Sequence, residues 1–323
     1  MSDIFPKSDN YIARQMPLSA ISPLGFIKPE TPTLVPEPPS GEGWIHEIKH
    51  DGHRTLIVID GGKVRAFSRH GRDWTGPYRR VVEVADKLPC RAALIDGEVI
   101  VQDENGISDF DALRSAIRKA PHRIVFFAFD LLHLDGLDMR RTPLIERRAA
   151  LRKLIQSDPR SPIQFSDHAG CDGLLFFKHA AELGLEGIVS KRAKSLYRGG
   201  PSKNWLKTKN MVKGEFILLG TEVDESGVPW ALLAREHEGE LEFAGPAIMR
   251  APSHARAEWA DKFAAIAIDK PPLKGLRRAN KAQWLKPGLR VRGSVSQGQG
   301  HAAARYGEAA CRRLNISNFT LRS

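Results

Sequence analysis

Cysteine is scarce: Cys90, Cys171 and Cys311 are far apart and form no C-x-x-C pair. That spacing excludes a four-cysteine zinc module and a disulfide framework, and it fits a reducing cytoplasm. No stretch approaches the roughly 18 consecutive apolar residues that a membrane helix needs. Met1 to Tyr11 is polar and charged, unlike a cleavable signal, so no membrane partner is expected. Acid is also in deficit. Against 49 Lys and Arg stand 38 Asp and Glu, giving a net charge of +11 and a pI near 9.7. A field of that sign and size favours a polyanion, with nucleic acid ahead of a membrane surface. What remains is 41% apolar and 27% charged over 323 residues, a soluble globular chain long enough for two domains.

Residues 1–42 are rich in Pro, Ser and Glu without a period, and read as an extended lead-in. From Trp44 the pattern turns to β. Ile59-Asp-Gly-Gly-Lys63 is a tight hairpin signal, and Ala93 to Val101 reads as a second hairpin turning at Asp96-Gly97. Apolar spacing predicts a helix from Ser108 to Ala120, capped by Ser108 or Asp109. Another follows Thr142-Pro143, with Arg and Lys on its outer face, and a third runs from Gly173 to Leu183. Arg123 to Leu134 is a continuous apolar run, a strand buried on both faces of a sheet. Asp130 interrupts that run, and a buried carboxylate demands a basic or hydrogen-bonding partner. After Lys213 short strands dominate, with a helix near 255–266, which suits a small five-stranded OB-type barrel. From Gly293 the chain is low in complexity and basic, and is expected to be disordered.

Several residues carry candidate chemistry. Lys49 lies at a strand end in EIKHDGHR, where its amine can reach a ligand. Cationic neighbours His50, His53 and Arg54 would lower its pKa and free the amine as a nucleophile, although a lone Lys-x-Asp-Gly also describes a surface lysine before a turn. Lys207 and Lys209 are two apart on a strand and share a face, so an anion between them would relieve their repulsion. Glu98 follows Asp-Gly among apolar residues, Phe129 is core or a face for a base, and Asp51 and Glu186 offer oxygen ligands for Mg²⁺. A nucleophilic amine, cations for an α-phosphate and a pocket for base and ribose are what phosphoryl transfer through a lysine requires.

The series KHDGHR, SRHGRDW, DGE, FFAFDLL, EGIVSK and NWLKTK resembles the nucleotidyltransferase motifs of ATP-dependent DNA ligases, most nearly the bacterial ligase D type, over roughly residues 20–290. The resemblance implies an α+β fold. A nucleotidyltransferase (ATP-grasp-like ligase) domain with antiparallel sheets and flanking helices, residues 43–212, would be followed by a β-rich OB-fold domain, 213–292, and the tail, 293–323. It implies that Lys49 is adenylated, with Asp51, Lys207 and Lys209 as its catalytic partners. Arg54 and Arg69 would contact phosphate, Phe129 would stack on adenine, and Glu47, Ile48 and Lys191 would complete the nucleotide pocket. Glu98 would bind the ribose and, with Glu186, the metal. ATP and Mg²⁺ (or Mn²⁺) are the implied cofactors. Nicked or broken double-stranded DNA is the implied partner, sealed in repair or end joining by a monomer that recruits end-binding repair proteins.

One feature of the family is missing. After Trp284-Leu-Lys-Pro287 the expected closing motif, ending in Arg-x-Asp-Lys, is replaced by GLRVRGSVSQGQG, and Lys274 to Lys281 is a partial lookalike on the wrong side. Two rival readings follow. One is an RNA ligase or capping-type nucleotidyltransferase, and the other is a degenerate ligase-like protein that binds nucleic acid with an impaired ATP step.

Overall fold

The computed structural model describes residues 24–155, 158–223, 227–237, 239–249, 256–273, 276, 282–296 and 321–322. Three sheets organise them. The first contains β1 (Glu30–Leu34), β2 (Trp44–Ile48), β9 (Gly187–Arg192) and β10 (Gly200–Lys209), in the order β1-β10-β9-β2. The second contains β3 (His53–Asp60), β4 (Lys63–Ser68), β5 (Ala92–Ile100), β6 (Val125–Leu134), β7 (Leu137–Asp138) and β8 (Ile163–Phe165). Its order is β4-β3-β5-β6-β7, with β8 parallel to β6.

The second sheet is buried on both faces, as the apolar run of β6 requires. Ile57, Ile95, Val99, Phe126 and Ala128 meet the inner residues of α1 (Arg79–Ala85), α2 (Phe110–Lys119) and α3 (Leu144–Ile155) on one side. Leu56, Val58, Leu94, Phe129 and Leu132 meet Ile45 and Trp205 of the first sheet on the other. The far face of the first sheet is covered by α4 (Gly173–Glu182), where Phe176 packs on His46. Local rules explain the joins. Gly61 and Gly62 take φ of 55° and 83° in the turn between β3 and β4, the left-handed pair that tight hairpins need. Asp109 caps α2 by accepting from Ala112 N at 2.8 Å, leaving Ser108 Oγ to accept from Asp51 N at 2.9 Å.

The extended lead-in contributes a strand to the first sheet, because β1 adds to β10 in parallel. Three expectations change. Asp96-Gly97 is not a turn: β5 runs through it, with a register shift against β6. A Cβ on Gly97 would stand 2.4 Å from the Phe126 ring, so this glycine serves close packing, not chain reversal. Arg147 and Arg148 of α3 are not on an outer face but are both fully buried. Finally, the strand-rich part is an open third sheet and not a closed barrel among the described residues. Its strands are β11 (Met211–Val223), β12 (Pro229–His237), β13 (Glu240–Ile248), β14 (Ala267–Ile268), β15 (Gln283–Leu285), β16 (Arg290–Ser296) and β17 (Leu321–Arg322).

In that sheet β11 pairs with β12 along one edge and with β16 and then β15 along the other, and α5 (Arg256–Ala265) contributes Trp259 and Phe263 to its core. The expected domain boundary at 212/213 falls inside β11 and the expected start of the tail inside β16. The rest of the tail, 297–320, lies outside the described residues.

Asp130 has the partner its position demanded. Arg147 Nε and Nη2 donate to its two carboxylate oxygens at 2.7 Å each, and neither side chain is exposed. Breaking such a pair strands a charge in the core. Arg147→Met is expected to cost about 3–5 kcal/mol in urea unfolding, and Asp130→Leu added to it to restore most of that loss.

Candidate active site

Lys49 to Gly52 carries the chain from β2 in the first sheet to β3 in the second, so the lysine stands where two walls meet. Its backbone is pinned by Lys49 N donating to Gly187 O at 2.9 Å. Gly187, at φ 145°, sits where a Cβ would come within 2.1 Å of Thr208 O, so no larger residue lets β9 and β10 approach there. Lys49 Nζ donates to Glu186 Oε2, and Lys209 Nζ lies 3.0 Å from Oε1 of the same carboxylate. Lys207 and Lys209 pair across the ladder with Val189 and Gly187, which puts both on the face that carries Lys191 and Trp205, as their spacing required. The cluster is a store of positive charge around one carboxylate, and an incoming phosphate could replace that carboxylate as the lysines' partner.

The nucleophile's neighbours differ from expectation. His50 stacks on Phe127 with ring centroids 4.4 Å apart, and burial pushes its pKa down to about 4, so it carries no charge near neutrality. His53 turns away, bonding Tyr78 Oη at 2.8 Å and packing on Trp74 and Phe110. Lys49 is thus held by a carboxylate and not crowded by imidazolium cations.

Deeper in the crevice, Glu47 accepts from Lys191 Nζ at 2.9 Å and from Arg148 Nη1 at 2.8 Å. Burial, aided by the Arg148 charge and opposed by Glu47, pushes the Lys191 pKa down to about 8. Lys191 Nζ also stands 4.2 Å from the Phe129 centroid and 4.1 Å from that of Trp205. From the second sheet, Arg54 lies over Phe129 at 4.4 Å and forks onto Asp96 at 2.6 and 2.7 Å. Burial opposes its charge, but Asp96 outweighs this and holds Arg54 protonated. Tyr197 Oη donates to Asp96 at 2.8 Å and accepts from Glu30 N at 2.9 Å, so β1 closes this network from outside.

Glu98 is half-buried and pairs directly with Arg54 across β3 and β5. The two walls therefore face each other with Lys49, Lys191, Lys207 and Lys209 on one side and Arg54, Glu98 and Phe129 on the other. Asp51 is buried in the connecting link. Two sequence candidates stand apart. Arg69 is exposed just beyond Ser68, the ladder partner of Thr55, and bonds His70. Ile48 alternates to the opposite face from Glu47, so a contact from this position to a ligand would fall to its backbone.

Sequence reasoning passed over Arg148, Tyr197 and Glu30. A signal for the first existed, since 144, 148, 151 and 155 form one helical stripe and all four are buried. Among the described residues no group of three or more His, Cys, Asp or Glu is arranged to hold a metal, and no helix is long and apolar enough to cross a membrane.

Residues 36–209 match the family described as the ATP dependent DNA ligase domain. The multifunctional non-homologous end joining protein LigD of Pseudomonas aeruginosa is 32% identical over 272 residues, covering 81% of this chain and 32% of that protein. The SPbeta prophage-derived DNA ligase-like protein LigB of Bacillus subtilis is 32% identical over 198 residues, covering 60% of this chain and 72% of that protein. The solved structure of mycobacterial DNA ligase D complexed with ATP and MES superposes with a TM-score of 0.51 at 26% identity, covering 90% of this chain and 94% of that one. The chain spans about a third of the length of the LigD relatives it matches. With the match extending over more than half its length, the chain belongs to the ATP-dependent DNA ligase domain family.

Proposed function

We propose that this chain is an ATP-dependent DNA ligase that seals 5′-phosphate/3′-hydroxyl breaks in double-stranded DNA. The observation that carries this reading is the lysine pair of Lys49 and Lys209 on the two oxygens of Glu186, facing a wall that holds Arg54, Glu98 and Phe129. In the first step Lys49 Nζ, having given up its proton, attacks the α-phosphorus of ATP. An N–P bond forms, the P–O bond to the β-phosphate breaks, and pyrophosphate leaves. Lys207 and Lys209 neutralise charge on the α-phosphate as it grows. The AMP then passes to the 5′-phosphate of the break and frees Lys49, after which the 3′-hydroxyl attacks that phosphate and displaces AMP. Each difficult displacement thereby acquires a better leaving group.

Within the crevice Lys191 and Glu47, beside Phe129, would meet the base, and Glu98 would meet the ribose. The carboxylate of Glu186 is a hard oxygen donor that would hold Mg²⁺ or Mn²⁺. The ion would add positive charge at the phosphates. Glu98, half-buried opposite Arg54, is the second candidate ligand. The chain would act as a monomer in the bacterial cytoplasm, with end-binding repair proteins delivering its DNA.

Three outcomes are expected. Incubation with α-labelled ATP and Mg²⁺ leaves covalent label on the chain, and Lys49→Ala carries none; an unlabelled wild type would point instead to a binding-only protein. Because the segment after Pro287 departs from the family pattern, reaction with ATP should be slowed more than sealing of a nick that is already adenylylated, relative to an intact homologue. Equal rates for both would show that the closing motif is dispensable here. The Lys191 cation is lost as pH rises through about 8, so the Kd for ATP of unreactive Lys49→Ala should weaken above that pH. Adding Lys191→Met should remove the break in that profile.

A further inference from the structure

The first and second sheets are separate hydrogen-bonded systems. At the inner end of the crevice they are joined by residues 166–169. Ser166 N donates to Ala128 O of the second sheet at 2.8 Å, and His46 and Ala169 exchange two backbone bonds of 2.9 Å at the edge of the first. Arg148 stands at this crossing, 1% exposed. Its Nη1 donates both to Glu47 Oε1 and to Phe129 O, at 2.8 Å each, which ties β2 to β6. Its Nη2 donates to Ser166 O and to His168 Nδ1, the latter at 3.2 Å, and the guanidinium lies 4.8 Å from the Phe165 centroid.

Burial and the Arg148 charge both lower the His168 pKa, which leaves its imidazole neutral and Nδ1 able to accept. One planar fork thus reaches four acceptors on β2, on β6 and on the segment between them. An ammonium could not, since it lacks the spread of donors that a guanidinium offers.

We propose that Arg148 is a positioning residue for nucleotidyl transfer, setting the spacing between the wall that carries Glu47 and Lys49 and the wall that carries Phe129. Its hydrogen bonds run to Glu47, the Phe129 peptide, Ser166 and His168, so it acts through Glu47 and the Phe129 peptide. A nucleotide lying between the walls takes its base position from both of them, and its α-phosphate must still meet Lys49. A misplacement of about 1 Å at this seam is of the order that costs up to 100-fold in rate. This role rests on Lys49 being the nucleophile.

The test uses the full chain, with the rate of lysyl-AMP formation measured against ATP concentration well below each variant's Tm. Arg148→Lys keeps the charge but not the fork, and should lower the rate at saturating ATP by about tenfold while moving KM by less than about threefold. His168→Ala removes one arm of the clamp from a half-buried position and should slow the same step by about threefold with KM unchanged. A wild type that takes no label would refute the ligase reading itself. A labelled wild type with both variants folded and at its rate, or with the whole loss in KM, would overturn the role of Arg148. Should Arg148→Lys lack a cooperative thermal transition, the His168→Ala rate decides alone.

Discussion

A carboxylate shared by two lysines is the interaction on which the rest of this crevice depends. One face of the first sheet carries Lys49, Lys191, Lys207 and Lys209 within a few residues of one another. Without counter-charge that face would repel itself and open to water. Glu186 answers Lys49 and Lys209, and Glu47 answers Lys191 with Arg148 as a second cation. A cluster of lysines of which Lys49, Lys207 and Lys209 are half-buried is complementary to a polyphosphate.

The facing wall is built by a different route. Arg54 spends its fork on Asp96, and Asp96 is held in turn by Tyr197, whose hydroxyl is fixed by the backbone of Glu30. Asp96, Tyr197 and Glu30 are buried, so each depends on the next for the partner that makes burial tolerable. The aromatic floor of Phe129 and Trp205 is then bordered by cations from both walls. Rigid placement of charge before a ligand arrives lowers the reorganisation needed when charge develops.

Much of this was legible in the sequence because it depends on local rules. The strand end at Lys49, the Gly61-Gly62 turn, the Asp109 cap and the shared face of Lys207 and Lys209 all follow from periodicity or backbone chemistry within a few residues. The demand for a partner at Asp130 was legible too, although its identity as Arg147 was not. What escaped depends on contacts between distant segments. Charged residues in a helix read as solvent-facing, yet Arg147 and Arg148 lie on the buried stripe of α3. A proline-rich lead-in reads as irregular, yet a five-residue strand can form wherever an edge is on offer, and β10 offers one. Asp-Gly usually signals a turn, and only the Phe126 ring pressed on Gly97 shows why it is strand here.

The place of β1 has a consequence for how the chain is made. It pairs in parallel with β10, some 170 residues later in sequence, with Glu30 opposite Gly200 and Leu34 opposite Lys207. A contact of that separation costs loop-closure entropy and forms late. During synthesis the early strand must wait, unpaired, until the last strand of its sheet has left the ribosome. The Glu30 end of the Arg54 network can therefore form only after β10 exists, so a nascent chain cannot assemble the whole crevice before its lysine strand does.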